Sequence, residues 1–170
     1  LHSLDLQGWK LTVKKVRKNG MKGTLVTVHV PKEENARHLS DILAIIDRSD
    51  LPGPAAERTA SAFTRLAEAE SRAHGIPPEE VHFHEAGAMD AIIDIAGSFA
   101  GMHLLGIEKV FSSPVATGTG TVECAHGVLP VPAPATLELL KGVPVNPSEI
   151  TGEITTPTGA AILTTAVDSW

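Results

Sequence analysis

Apolar residues recur along the chain in two rhythms, and the change from one to the other marks its elements. Trp9 to Val16 and Thr24 to Val30 are rich in Val, Thr and Leu and flank Lys18-Asn19-Gly20, and an Asn-Gly step between such runs predicts a β-hairpin. From Ala36 to Asp47, Leu39, Ile42, Leu43 and Ile46 fall at helical spacing, and Leu51-Pro52-Gly53-Pro54 interrupts the pattern. A second helix is expected over Ala55 to His74, through Phe63 and Leu66, closed by Gly75 ahead of Ile76-Pro77-Pro78. The first half therefore reads as ββαα.

Beyond Pro78 charges thin out and histidine, glycine and proline motifs accumulate. Val81-His82-Phe83-His84 alternates apolar and polar. A helix from about Ala88 to Leu105 carries Met89, Ile92, Ile93, Ala96, Phe99 and Ala100 on one stripe, and Gly106 ends it. Val110-Phe111, Val115 to Val122 and Val143-Pro144-Val145 are expected strands; Pro132 to Lys141 and Thr158 to Val167 are expected short helices. Alternating elements predict an α/β fold, with mixed α+β as the neighbouring class. One domain is expected over 1–170, with sub-lobes 1–76 and 77–170.

Composition narrows the classes of function. The 170 residues are 42% apolar and 20% charged, enough for a buried core without disulfides. A net charge of -6, with no basic block longer than a doublet, offers nothing to a phosphate backbone or an anionic membrane. One cysteine rules out an internal disulfide framework, and with no signal peptide or long apolar span a cytoplasmic protein is expected. The chain begins at Leu1 rather than Met, which fits part of a longer protein.

The candidate chemistry is concentrated after Val81. In a strand, residues two apart share a face, so His82 and His84 converge while Val81 and Phe83 pack behind. Glu85 follows at the turn, and Asp90 and Asp94, four apart, share a helix face. Imidazoles and carboxylates with open positions suit nickel, zinc, iron or manganese; the competing reading is solvated or structural side chains. Cys124 and His126 repeat the two-residue spacing, and soft sulfur beside nitrogen suits nickel or zinc, against a buried cysteine and a turn-capping histidine. Thr117-Gly118-Thr119-Gly120-Thr121 is neither a Walker loop nor a dinucleotide fingerprint, and reads as a flexible strand or tight bulge. Thr156, Thr158 and Gly159, in Thr155-Thr156-Pro157-Thr158-Gly159 ahead of a helix, offer hydroxyls and amides to a phosphate or carboxylate, or simply cap the helix. His2, His29, His38, His74 and His103 have no companions at ligand spacing and are left out of the site, His103 as a core histidine.

Three motifs in order, His82-Phe-His-Glu-Ala-Gly-Ala-Met-Asp90-Ala-Ile-Ile-Asp94, Cys124-Ala-His-Gly-Val-Leu-Pro-Val-Pro-Ala-Pro-Ala-Thr136 and Thr155-Thr-Pro-Thr-Gly-Ala160, resemble the LarC family. The resemblance covers about Val81 to Leu163. It implies insertion of nickel into pyridinium-3,5-bisthiocarboxylic acid mononucleotide, forming nickel-carbon and nickel-sulfur bonds in a CTP-dependent reaction whose product serves lactate racemase or a related apoenzyme. On that reading His82, His84, Cys124 and His126 hold or relay nickel, and Glu85, Asp90 or Asp94 is a ligand or the base for the ring proton. The family's amino-terminal Ser-Gly-Ile-Ser-Gly-Asp run has no counterpart here. CTP and its divalent metal are expected on a carboxy-terminal domain outside this sequence. Two other functions fit the same cluster: a nickel metallochaperone that makes no bonds, and a metal-dependent hydrolase.

Overall fold

The structure is a computed structural model that describes residues 1–31, 37–83, 89–124 and 127–170. The Asn-Gly step does what its chemistry predicts. Strand β1 (Lys10–Lys18) pairs antiparallel with β2 (Met21–His29) from Lys10↔His29 to Lys18↔Met21, and Asn19 (φ 49°) and Gly20 (φ 84°) supply the two left-handed residues of the tight turn. All six cations of the hairpin, Lys10, Lys14, Lys15, Arg17, Lys18 and Lys22, are exposed.

The expected helix from Ala36 starts later. Arg37–His38 is instead a two-residue strand, β3, and helix α1 runs Leu39–Asp47; Ala36 lies outside the described residues. Asp41 anchors the start by accepting from the His38 backbone N–H at 2.9 Å. Helix α2 (Gly53–His74) begins two residues before the expected Ala55, because a proline in the first turn forfeits no helical hydrogen bond. Its inner face buries Ala55, Thr59, Ala62, Phe63, Leu66, Ala67 and Ala69.

Strand β4 (His82–Phe83) pairs antiparallel with β3, His38 facing His82. Helix α3 (Met89–Leu104) buries Met89, Ile92, Ile93, Ala96, Phe99 and Ala100 as its stripe predicts. His103 is exposed at its end, not in the core, because it lies beyond the buried stretch.

The expected strand Val115 to Val122 is two strands: β5 (Val115–Thr119) and β6 (Thr121–Cys124) separate at Gly120 (φ 91°) and join different ladders. Strand β7 (Gly127–Pro130) pairs antiparallel with β6, and β8 (Val145–Thr151) parallel with β5. Helices α4 (Pro134–Leu139) and α5 (Pro157–Ala166) complete the chain. Val110-Phe111 forms no strand, only a single bridge from Phe111 to Ser169.

The fold is mixed α/β, a hairpin followed by helices, and among the described residues its strands form four separate two-stranded ladders. The core is one cluster in which Phe63, Leu66, Ile92, Ile95 and Phe99 meet Leu4 and Ile42. Phe63 and Phe83 pack edge to face at 6.3 Å, fastening β4 to α2.

At Gly118 the β5–β8 register shifts, and a Cβ there would fall inside the van der Waals radius of the Gly152 carbonyl oxygen. Gly118→Ala should therefore destabilise by about 1–3 kcal/mol in denaturant titration. Gly101→Ala, in α3 with open space around the new carbon, should stabilise by about 0.4–1 kcal/mol in the same titration.

Candidate functional site

The ends of several elements converge on a cavity of about 670 Å³. The last turn of α2, β4, the first turns of α3, the β6–β7 hairpin and the N-termini of α4 and α5 form its walls. Phe83, Ala91, Ala135 and Ile162 give it apolar surface, the lining that lets a few polar groups define orientation.

Seven of the residues singled out from the sequence line this one cavity: His82, Asp90, Asp94, Cys124, Thr156, Thr158 and Gly159. His84, Glu85 and His126 lie outside the described residues. His82 is set by strand alternation, since Phe83 turns into the core and leaves its neighbour exposed to the cavity. Asp90 and Asp94 are set by helical period: burial of Met89, Ile92, Ile93 and Ala96 holds them one turn apart on the open side of α3.

Partial desolvation, reinforced by the charge of Asp90, holds the Asp94 carboxyl above its ordinary value of 3.8. Cys124 is half-buried at the end of β6, its thiol donating to the Gly127 carbonyl at 3.4 Å.

At the start of α5, Thr156 is the helix cap, its Oγ1 accepting from the Gly159 N–H at 3.1 Å. Thr155 Oγ1 donates to the Ala116 carbonyl at 2.6 Å, tying this approach to β5. With Gly159 N–H engaged and Pro157 lacking one, the first turn offers an incoming anion the Thr158 amide and hydroxyl rather than a full ring of donors.

Four further titratable residues line the cavity without having been anticipated: Glu70, His74, Glu123 and Glu153. His74, set aside for want of a companion, has one at helical spacing, Glu70, whose Oε2 lies 3.4 Å from its Nε2. That pair was readable from Glu70-x-x-x-His74; Glu123 and Glu153 carried no such signal. His38, also set aside, packs against His82 across the β3–β4 ladder with ring centroids 4.0 Å apart.

Five carboxylates thus face the space, and among the described residues no lysine or arginine lines it. The site has the sign of a cation receptor. Among the described residues no three of the His, Cys, Asp and Glu side chains are grouped to hold a metal ion.

The family model described as nickel insertion protein matches residues 1–170. A protein of Desulfitobacterium hafniense (strain DSM 10664 / DCB-2), named pyridinium-3,5-bisthiocarboxylic acid mononucleotide nickel insertion protein, is 54% identical over 164 residues, covering 96% of this chain and 41% of its own length. A protein of the same name from Thermotoga sp. (strain RQ2) is 46% identical over 186 residues, covering all of this chain and 46% of its own length. The chain therefore spans less than half the length of these relatives. No solved structure matches it significantly. This chain belongs to the nickel insertion protein family.

Proposed function

We propose that this chain is the part of a nickel insertion protein that receives nickel(II) and presents it to pyridinium-3,5-bisthiocarboxylic acid mononucleotide. The observation that carries the reading is the convergence of His82, Cys124, Asp90 and Asp94 on one anionic cavity that also includes the N-terminus of α5. His82 nitrogen and Cys124 sulfur are donors suited to nickel. His84 and His126 belong to the same motifs in sequence and extend the proposed donor set.

Forming a nickel-carbon bond on a pyridinium ring replaces a carbon-bound proton by the metal, so the reaction needs a base beside the metal. Asp94 has the chemistry of that base. Partial desolvation and the charge of Asp90 raise its pKa, which makes its carboxylate a stronger proton acceptor than an ordinary aspartate. Asp90, and Glu85 beside it in the motif, are the other carboxylates suited to the role. The mononucleotide phosphate would lie at the start of α5, against Thr158 with Thr156 and Gly159.

CTP with a divalent metal is assigned to another part of the full-length protein, and the product to lactate racemase or a related apoenzyme. Among the described residues no helix is long and apolar enough to cross a membrane; the proposed setting is the cytoplasm.

In the full-length protein, His82→Ala and Cys124→Ala should each weaken nickel(II) binding by about 10-fold or more, measured by calorimetry with folding checked by circular dichroism. Unchanged affinity in both would remove the metal from this cavity. Persistent nickel binding with no new nickel-carbon bond on addition of precursor and CTP would identify a metallochaperone instead.

Asp94→Asn should leave nickel affinity in place and slow metallation by ~10²–10⁴-fold, and should abolish the rise of rate with pH that ionisation of Asp94 produces in the parent. A retained pH limb would reassign the base to Asp90 or Glu85.

Stability should change in the opposite sense. Because the native carboxyl holds its proton more tightly than the unfolded one, the parent loses stability as pH rises from the ordinary 3.8 through the raised native value. Asp94→Asn should therefore raise the thermal midpoint at neutral pH, with the gain disappearing in acid.

A further inference from the structure

The geometry points to His38, contributed by the first half of the chain, as a second nitrogen donor to the nickel ion held by His82. The inference rests on the nickel-receiving reading of the cavity and adds to it a residue that no sequence motif marks.

Strands β3 and β4 have two residues each, and their ladder consists of Arg37↔Phe83 and His38↔His82. Phe83 is buried against Phe63, and α1, which begins directly after His38, buries Ile42 and Ile46. Both histidines are therefore placed by core contacts on either side of a short ladder, and the ladder brings their rings together. The centroids are 4.0 Å apart with the planes inclined at 48°.

Imidazole nitrogens bind first-row divalent ions at about 2.1 Å, so two rings on adjacent corners of one ion have centroids roughly 4.5 Å apart. The observed pair needs about half an ångström of opening to meet that geometry. Tetragonal and square-planar arrangements, with right angles between adjacent donors, are those nickel(II) adopts.

A second observation concerns the His38 ring itself. Its backbone N–H is satisfied by Asp41 at 2.9 Å, in the arrangement of a capping box, but the reciprocal approach of the ring to the helix amide falls short of hydrogen-bond geometry. Nδ1 is left buried without a partner. A buried nitrogen without a partner needs an explanation, and a bound ion at the ring is one.

The test uses three variants of the full-length protein with nickel(II) chloride as the probe. His38→Asn keeps a residue favoured at a helix N-cap. His38→Phe keeps an aromatic ring against His82 without nitrogen, and His82→Ala is the reference. Circular dichroism and thermal midpoints establish folding. The readouts are calorimetric affinity and nickel-edge X-ray absorption at one equivalent of metal. If His38 is a donor, both His38 variants lose about 10-fold or more in affinity and one imidazole from the nickel shell. Full affinity and an unchanged imidazole count in His38→Phe would show that the ring only packs, and would overturn the inference. Loss of nickel in His82→Ala with none in either His38 variant would sink this inference and leave the receiving site intact. Unchanged binding in all three would sink both.

Discussion

The helices of this fold are placed by one stripe on α2. Ala55, Thr59, Ala62, Ala67 and Ala69 are small, and around Phe63 and Leu66 they form a buried face against which α1, α3, α4 and α5 all pack. Small residues let helix backbones approach closely, and the two large ones fill the space between. Thr59 fits this face because its hydroxyl donates to the Ala55 carbonyl at 2.7 Å and needs no other partner. Arg72 adds a polar tie outside the core, meeting Glu138 of α4 at 2.9 Å. Since the cavity is built from the ends of these elements, its shape is a consequence of how they dock on α2.

Local chemistry made much of this legible. The Asn-Gly turn, the helical spacing of Leu39, Ile42, Leu43 and Ile46, and the α3 stripe each depend on neighbours within a few residues, and each formed. The departures are non-local. Val-Asn-Pro-Ser-Glu-Ile-Thr has no strand pattern, and it becomes β8 because β5 offers a parallel edge and Gly118 lets Gly152 come close. Arg37 and His38 continue what reads as a helix approach, yet pairing with His82–Phe83, far along the chain, takes them into β3. No periodicity encodes such a partner.

The site divides the same way. His82, Asp90, Asp94 and Cys124 could be named from spacing because strand and helix periods turn them to one side. Glu70 with His74 was legible in principle, at helical i, i+4 spacing, but was passed over in a search for companions at ligand spacing. His38, Glu123 and Glu153 reach the region only through tertiary structure.

Charge is distributed unevenly, and the consequence is chemical. The hairpin from Lys10 to His29 holds six cations and no acid, while the cavity is lined by Glu70, Asp90, Asp94, Glu123 and Glu153. An empty space with five carboxylates raises the free energy of any anion entering it, a mononucleotide included. A divalent ion inverts that field, drawing the carboxylates down in pKa and cancelling part of their charge. On the proposed reading, nickel(II) is therefore both cargo and the countercharge that admits the precursor, so the metal should precede the mononucleotide. Asp94 is the residue on which the two roles meet: before the metal arrives, partial desolvation and the charge of Asp90 hold its proton affinity up, and a bound divalent ion would offset both and favour release of the proton it takes.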